Sequence, residues 1–270
     1  MILGLLGPEG TFSEKAAKKW ESTAELQYFD DVFDVVKAVV NEDVDYGVVP
    51  IENSLEGSVG STLDALLKYD VKIAGEVVVP IRHCLLAKEK ISDIKIILSH
   101  PQALAQCRHS IKNRFGEVEI VETMSTASAA KLASESKKMA AIASEDSAAK
   151  YGLNILLRDL QNQKENYTRF IVLGKIVPEP TSKDKTSVVI YLQKDRPGAL
   201  YKMLGEFASR DINLTKIESR PTKKALGDYL FYIDMEGHIM DEKVQTALKE
   251  IKKKAGMLRI LGSYPKAEQT

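Results

Sequence analysis

Asn166-Tyr167-Thr168-Arg169-Phe170 leads directly into Ile171-Val172-Leu173-Gly174, so a polar, donor-rich pentad meets a β-branched apolar run. Apolar, β-branched runs bounded by polar residues read as buried strands, which puts the pentad at a strand entrance on a rigid edge. There Thr168 offers a small hydroxyl and Arg169 a planar fork of five N–H donors suited to a carboxylate. A surface ion pair and a β-forming threonine would use the same residues, so the chain around them has to decide between a site and a plain strand.

Upstream, strand and helix signals alternate, which predicts an α/β domain. Residues 2–6 form a short apolar run ending in Gly7-Pro8-Glu9-Gly10-Thr11-Phe12-Ser13, ahead of helical residues 14–20. A hydroxyl before a helix is an N-cap, and the N-terminus behind it carries free N–H groups and partial positive charge that can hold an anion. No Gly-Lys-Ser/Thr follows, so this is not a P-loop, and a carboxylate suits it as well as a phosphate. Val32, Val35, Val36, Val39 and Val40 recur at helical spacing. A strand at 46–49 ends in Pro50-Ile51-Glu52-Asn53-Ser54-Leu55-Glu56-Gly57-Ser58; residues 61–69 are helical and 71–79 strand-like.

From Ile81-Arg82-His83-Cys84-Leu85-Leu86 a second series begins. Strand 96–99 stops at His100-Pro101-Gln102-Ala103-Leu104, with Pro101 in the first turn of a helix running to residue 115. After strand 118–122, Thr123-Met124-Ser125-Thr126-Ala127-Ser128 opens helix 129–135; a strand at 140–143, a helix at 144–151 and a strand at 155–157 follow. Polar loops at strand C-terminal ends mark the ligand edge of an open α/β sheet. Two lobes are expected, about 1–78 plus 160–177 and about 79–159. They are crossed near 78–80 and again near 159–163, with a cleft for a small polar ligand between them.

Pro178-Glu179-Pro180-Thr181-Ser182-Lys183-Asp184-Lys185 has the composition of a linker. After it the pattern resets to strand 186–193, a helix through 208, strands 212–218 and 229–235, helix 241–254 and strand 258–261. That is β-α-β-β-α-β, the ferredoxin-like order. With 38 basic and 38 acidic residues, the chain has no electrostatic footprint for nucleic acid or an anionic membrane. Lys252-Lys253-Lys254 reads as a solvated helix end that complements the dipole. Cys84 and Cys107 lack CxxC spacing and read as buried free thiols in a reducing cytosol. The four histidines are scattered, without metal-ligand spacing. No run approaches the roughly 20 apolar residues of a membrane span, and residues 1–6 are too short for a signal peptide. A soluble, cytoplasmic protein without a metal is expected.

Side by side, Gly7-Pro8-Glu9-Gly10-Thr11-Phe12-Ser13, Pro50-Ile51-Glu52-Asn53-Ser54, His100-Pro101-Gln102-Ala103-Leu104, Thr123-Met124-Ser125-Thr126 and the opening pentad resemble the motifs of the prephenate dehydratase family. Gly198-Ala199-Leu200-Tyr201 and Glu218-Ser219-Arg220-Pro221 resemble the two phenylalanine-binding motifs of its regulatory ACT domain. The resemblance covers nearly the whole chain, in order. It implies a two-lobed α/β catalytic domain, similar to type II periplasmic-binding proteins, at 1–177, a linker at 178–185 and a ferredoxin-like ACT domain at 186–270. With no chorismate mutase segment ahead of Ile2, it looks like the monofunctional form. The implied reaction is loss of carbon dioxide and water from prephenate to give phenylpyruvate, in phenylalanine biosynthesis under feedback by L-phenylalanine.

Aromatisation drives that elimination, so no metal or electron-sink cofactor is expected. Thr168 is expected to hydrogen-bond the leaving hydroxyl, tightening as negative charge develops there. Arg169 is expected to clamp the pyruvyl carboxylate, because a cation on the ring carboxylate would slow decarboxylation. Asn53 and Ser54 join them as catalytic donors, and Thr11, Ser13, Ser125, Thr126 and Asn166 as substrate-binding groups. Glu52 reads as an acid in a dry environment or as an ion-pair partner, and Phe170 as a ring wall or a core residue. In the tail, Gly198, Ala199, Leu200, Asn213 and Leu214 are expected to hold an amino acid. Glu218, Ser219, Arg220 and Pro221 would come from the neighbouring subunit of a homodimer or homotetramer. Arogenate, with an amino group in place of the keto oxygen, is the alternative substrate. A non-catalytic amino-acid sensor is the alternative class; it would need a transmission partner, and the chain shows no helix-turn-helix or membrane segment.

Overall fold

The structure, a computed structural model, describes residues 1–192, 196–223 and 227–267, which build three sheets. Lobe 1 holds β1 (Ile2–Leu6), α1 (Phe12–Trp20), β2 (Glu25–Phe29), α2 (Val32–Val40), β3 (Tyr46–Asn53), the short β4 (Gly57–Ser58), α3 (Gly60–Lys68) and β5 (Lys72–Pro80). The chain crosses to lobe 2 for β6 (Cys84–Ala87), β7 (Ile96–Ser99), α4 (Pro101–Gln106), α5 (Arg108–Phe115), β8 (Glu119–Glu122), α6 (Thr126–Ala133), β9 (Met139–Ala143), α7 (Glu145–Tyr151) and β10 (Asn154–Leu157). It returns as β11 (Tyr167–Gly174), which inserts antiparallel between β3 and β5 of lobe 1. Phe170, Ile171, Val172 and Leu173 are buried, as a central strand covered on both faces requires of a continuous apolar run.

The helix expected to run unbroken to residue 115 is two. It breaks at Cys107, whose φ of −105° and ψ of 4° leave the helical region while its N–H still bonds back to Ala103, Leu104 and Ala105. Cys107 is fully buried, and burial pushes its thiol up to about 12, so like the buried Cys84 it is inert.

The C-terminal region comprises β12 (Asp184–Leu192), α8 (Ala199–Ala208), β13 (Leu214–Pro221), β14 (Tyr229–Glu236), α9 (Glu242–Lys254) and β15 (Ala255–Pro265). Gln193, the expected last residue of the first strand, lies outside the described residues. The sheet is antiparallel, in the order β13-β14-β12-β15, the ferredoxin-like arrangement. Val188, Ile190, Ile233 and Met235 pack on Met203, Phe207, Val244 and Ile251 of its two helices. Its other face is also dry: Val189, Tyr232, Leu261 and Tyr264 share a core with Leu63, Leu66 and Ile73 of lobe 1. Among the described residues, no helix is long and apolar enough to cross a membrane.

This docking depends on Gly262. A Cβ there would lie 2.2 Å from the Ile73 carbonyl oxygen and 2.8 Å from its nitrogen, backbone atoms that cannot rotate away. Gly262→Ala is expected to cost about 1–3 kcal/mol, the usual range for overpacking, read as a lower urea midpoint. An unchanged midpoint would refute the close approach of β15 to β5.

Candidate active site

A cleft of about 290 Å³ lies between the lobes. Its wall takes Thr11, Phe12 and Ser13 from the β1–α1 connection, and Pro50 and Asn53 from the end of β3. His83 follows β5, while His100, Gln102, Ala103 and Gln106 belong to the α4 region. Met124, Ser125 and Thr126 come from the start of α6, and Thr168 and Phe170 from β11. The lobes also touch directly: the Ser144 and Ser147 hydroxyls donate to the Gly10 carbonyl at 3.1 and 2.9 Å, and the Tyr151 hydroxyl donates to that of Glu9 at 2.8 Å.

The opening pentad divides by strand period. Successive side chains on a strand point to opposite faces, and Thr168 stands opposite Asn53, Arg169 opposite Glu52, across the β11–β3 pair. Thr168 and Asn53 face the cleft; Arg169 and Glu52 face the C-terminal domain. The structure therefore corrects the carboxylate-clamp expectation for Arg169. Its guanidinium is 11% exposed and is held by Glu52 at 3.0 Å, Glu76 at 3.1 Å and Asp234 at 2.7 Å. Burial works against its charge, but Asp234, Tyr264, Glu76 and Glu52 outweigh it and drive its pKa further up. Lys185 binds Glu76 at 2.8 Å, and the Ser187 hydroxyl donates to Asp234 at 2.6 Å. Glu52 also pairs with Lys216 at 3.5 Å, so it is an ion-pair residue outside the cleft wall. Ser54 is outside that wall too; its hydroxyl accepts the Tyr167 N–H at 3.0 Å and ties β3 to β11.

On the cleft side a directional hydrogen-bond chain sets the orientation of each amide. Asn53 Oδ1 accepts the N–H groups of Leu55 and Glu56 at 3.0 and 3.1 Å, which leaves Nδ2 to donate to Asn166 Oδ1 at 2.8 Å and Thr168 Oγ at 2.9 Å. Asn166, buried behind the wall, then donates from Nδ2 to Gln106 Oε1 at 2.9 Å. Because Thr168 Oγ accepts from Asn53, its own proton is free to point into the cleft. Thr11 and Ser125 are largely spent as caps, accepting from Glu14 and Ser128 N–H at 3.4 and 3.0 Å. Ser13 and Thr126 have no hydrogen-bond partner for their hydroxyls among the described residues. Phe170 is both wall and core.

The sequence reading missed His83 and Gln106. Gln106 lies four residues after Gln102, on the same helix face, and that spacing was available as a signal. No lysine or arginine lines the cleft among the described residues. The N-termini of α1 and α6, one from each lobe, reach the cleft wall, where unpaired N–H groups and the helix dipole supply partial positive charge.

These features define a two-lobed α/β protein with a polar cleft and a docked regulatory-type βαββαβ domain. The prephenate dehydratase profile matches residues 3–177 and the ACT domain profile residues 186–253. The chain belongs to the prephenate dehydratase family, hydro-lyases that decarboxylate prephenate. It is 47% identical over 268 residues to the prephenate dehydratase of Methanocaldococcus jannaschii, covering 96% of each chain. It is 43% identical over 276 residues to arogenate dehydratase/prephenate dehydratase 2 of Arabidopsis thaliana, covering 96% of this chain and 71% of that one. Among solved structures, the Arthrobacter aurescens prephenate dehydratase in complex with L-Phe superposes with a TM-score of 0.90 at 38% identity, covering 98% of this chain and 90% of that one.

Proposed function

We propose that the chain converts prephenate to phenylpyruvate in the cytoplasm, for L-phenylalanine biosynthesis, and that L-phenylalanine inhibits it through the ACT domain. The observation that carries the reaction is the Thr168 hydroxyl, held as an acceptor by Asn53 at 2.9 Å with its proton left for the cleft. Prephenate brings two carboxylates and one ring hydroxyl. The carboxylates sit toward the N-termini of α1 and α6, aided by Ser13 and Thr126. Thr168 donates to the ring hydroxyl as the carbon–oxygen bond lengthens. Partial dipole charge suits this better than a full cation, because it does not over-stabilise the carboxylate that must leave as carbon dioxide.

Regulation has structural support in the tail. Glu218 accepts a hydrogen bond from the Ser58 hydroxyl and Arg220 reaches Asp64 at 3.5 Å, so the second regulatory motif touches the catalytic domain of its own chain. Gly198, Ala199 and Leu200 open α8, whereas Asn213 and Leu214 follow its other end, about 15 Å away for a ten-residue helix. One protomer leaves those two groups apart, and a second copy can bring them together. β13 is an edge strand, Ile217 on it is exposed and so is Tyr201 on α8, which suits a homodimer through the ACT domains.

Arogenate is the second reading, because the Arabidopsis relative is named arogenate dehydratase/prephenate dehydratase 2. Incubation with prephenate and with arogenate in parallel, with and without L-phenylalanine, tests all three statements. The expected result is phenylpyruvate absorbance from prephenate, suppressed by L-phenylalanine. Turnover of arogenate alone would replace the substrate, and turnover of neither would overturn the reaction.

A further inference from the structure

His83 is 3% exposed, belongs to the cleft wall, and carries the one buried side-chain polar atom without a hydrogen-bond partner among the described residues, Nδ1. A buried ring nitrogen that the protein leaves unpaired in a cleft wall is available to a partner on a bound ligand. The other ring nitrogen, Nε2, lies 3.1 Å from Gln106 Oε1. The orientation of that amide is fixed from both sides. Asn166 donates to the same Oε1 at 2.9 Å, and Gln106 Nε2 reaches the Glu56 carboxylate at 3.4 Å. His83 must therefore present N–H at Nε2. The tautomer follows, step by step, from the backbone N–H groups of Leu55 and Glu56 that orient Asn53 at the far end of the chain. In neutral His83, Nδ1 holds a lone pair, and it is the only ring position that can gain a proton.

The reaction needs such a group. Prephenate is a dianion and phenylpyruvate a monoanion, so one proton must be taken up as water departs. Hydroxide is a poor leaving group, and a threonine hydroxyl is too weak an acid to surrender its proton. Every other polar atom of prephenate is an acceptor, so the ring hydroxyl is the natural partner of Nδ1.

Resting on the proposed reaction, we propose that His83 is its general acid, delivering a proton from Nδ1 to the departing ring hydroxyl, directly or through one water. The bond between the ring and its carboxylate breaks, and its electron pair enters the ring as carbon dioxide leaves. The ring carbon–oxygen bond breaks with its pair on oxygen, and that oxygen takes the Nδ1 proton. The products are phenylpyruvate, carbon dioxide, water and neutral His83, still donating from Nε2 to Gln106; solvent restores the proton. Gln106 and Asn166 are positioning residues in this scheme.

The environment makes the switch conditional on substrate. Burial pushes the imidazolium of His83 below the usual histidine range, with Gln106 opposing. Phe12 stacks edge-on at 5.9 Å. The charged and titratable groups around it are Asp30 and His100 on the cleft wall, Glu56 behind Gln106, and the Arg82–Asp159 pair at 2.9 Å beside its own segment. Lys15, Glu145 and Arg158 share the groove beyond Phe12 with that pair. A bound dianion adds two negative charges to a wall without lysine or arginine and favours the imidazolium.

The test joins kinetics to spectroscopy on the full-length protein. In His83→Gln, kcat on prephenate is expected to fall by about 10² or more, the lower bound for general acid catalysis, with KM within about threefold. Wild-type kcat/KM should fall as pH rises through the free-enzyme histidine pKa, and the variant should lose that limb. Independently, ¹⁵N NMR of the four histidines should show His83 as the neutral Nε2–H tautomer alone. It should become an imidazolium with the 4-deoxy analogue of prephenate, which keeps both carboxylates and cannot eliminate. This arm needs no variant to fold. An active wild type with His83→Gln equally fast, or with an unchanged pH profile, overturns the proposal alone, as does a His83 that stays neutral with the analogue. A wild type inactive on both prephenate and arogenate removes the reaction and the proposal together.

Discussion

Thr168→Val is expected to lower kcat on prephenate by roughly 10²–10³, the usual cost of removing one donor aimed at developing charge, while KM changes little. Valine keeps the β-branched shape on β11, so the strand register is preserved. Asn53 stays fixed by the Leu55 and Glu56 N–H groups at 3.0 and 3.1 Å, and the rest of the hydrogen-bond chain survives. The lost group is the hydroxyl whose proton the chain leaves free. Because that hydrogen bond strengthens only as negative charge gathers on the leaving oxygen, its removal raises the barrier and not the ground state. A variant with unchanged kcat and a raised KM would make Thr168 a binding residue.

Arg169→Met is expected to be the most destabilising single change at the domain boundary. It leaves Glu76 and Asp234, at 2% and 7% side-chain exposure, short of a counter-charge. Breaking a buried pair from one side typically costs about 3–5 kcal/mol. At roughly 2–4 °C per kcal/mol for a chain of this size, the first thermal transition should drop by about 6–20 °C. Lys185, bound to Glu76 at 2.8 Å, retains part of the compensation, so the lower half of that range is expected. Below the transition, KM for prephenate should stay near wild type. A raised KM with intact stability would restore Arg169 to the substrate and contradict its observed position.

The two predictions concern adjacent residues on one strand, and their contrast shows what could be read in advance. The apolar run after the pentad and the βαββαβ order of the tail were legible because hydrophobic periodicity and turn composition carry them. So was the cleft, since polar loops recur at the C-terminal ends of successive strands. The division between Thr168 and Arg169 was also available: a strand's period of two forbids neighbours from sharing a face, and the carboxylate-clamp expectation overlooked it. The destination of Arg169 was not available, because Glu76 and Asp234 lie 93 and 65 residues away and reach it through tertiary packing. The same holds for His83 and Gln106, 23 residues apart on separate elements; a lone histidine in an apolar run gives no hint which ring nitrogen goes unpaired. The break at Cys107 has no proline or glycine to announce it.

The same layout joins the ACT domain to the catalytic domain through side chains next to the cleft. Asp234 of the ACT domain grips Arg169, whose neighbour on β11 is Thr168, and Glu218 and Arg220 touch Ser58 and Asp64. A ligand that binds one arrangement of the ACT domain better than another would bias these contacts, and only that difference in affinity could shift the enzyme.

The central claim is that an oriented hydroxyl at residue 168 assists departure of the ring hydroxyl. The most direct measurement is the single-turnover rate from prephenate to phenylpyruvate in Thr168→Ser beside Thr168→Val. The serine enzyme, which can accept from Asn53 and donate into the cleft, should remain within about tenfold of wild type, with the valine enzyme slower by about 10² or more. Equal rates in the two variants would contradict the account.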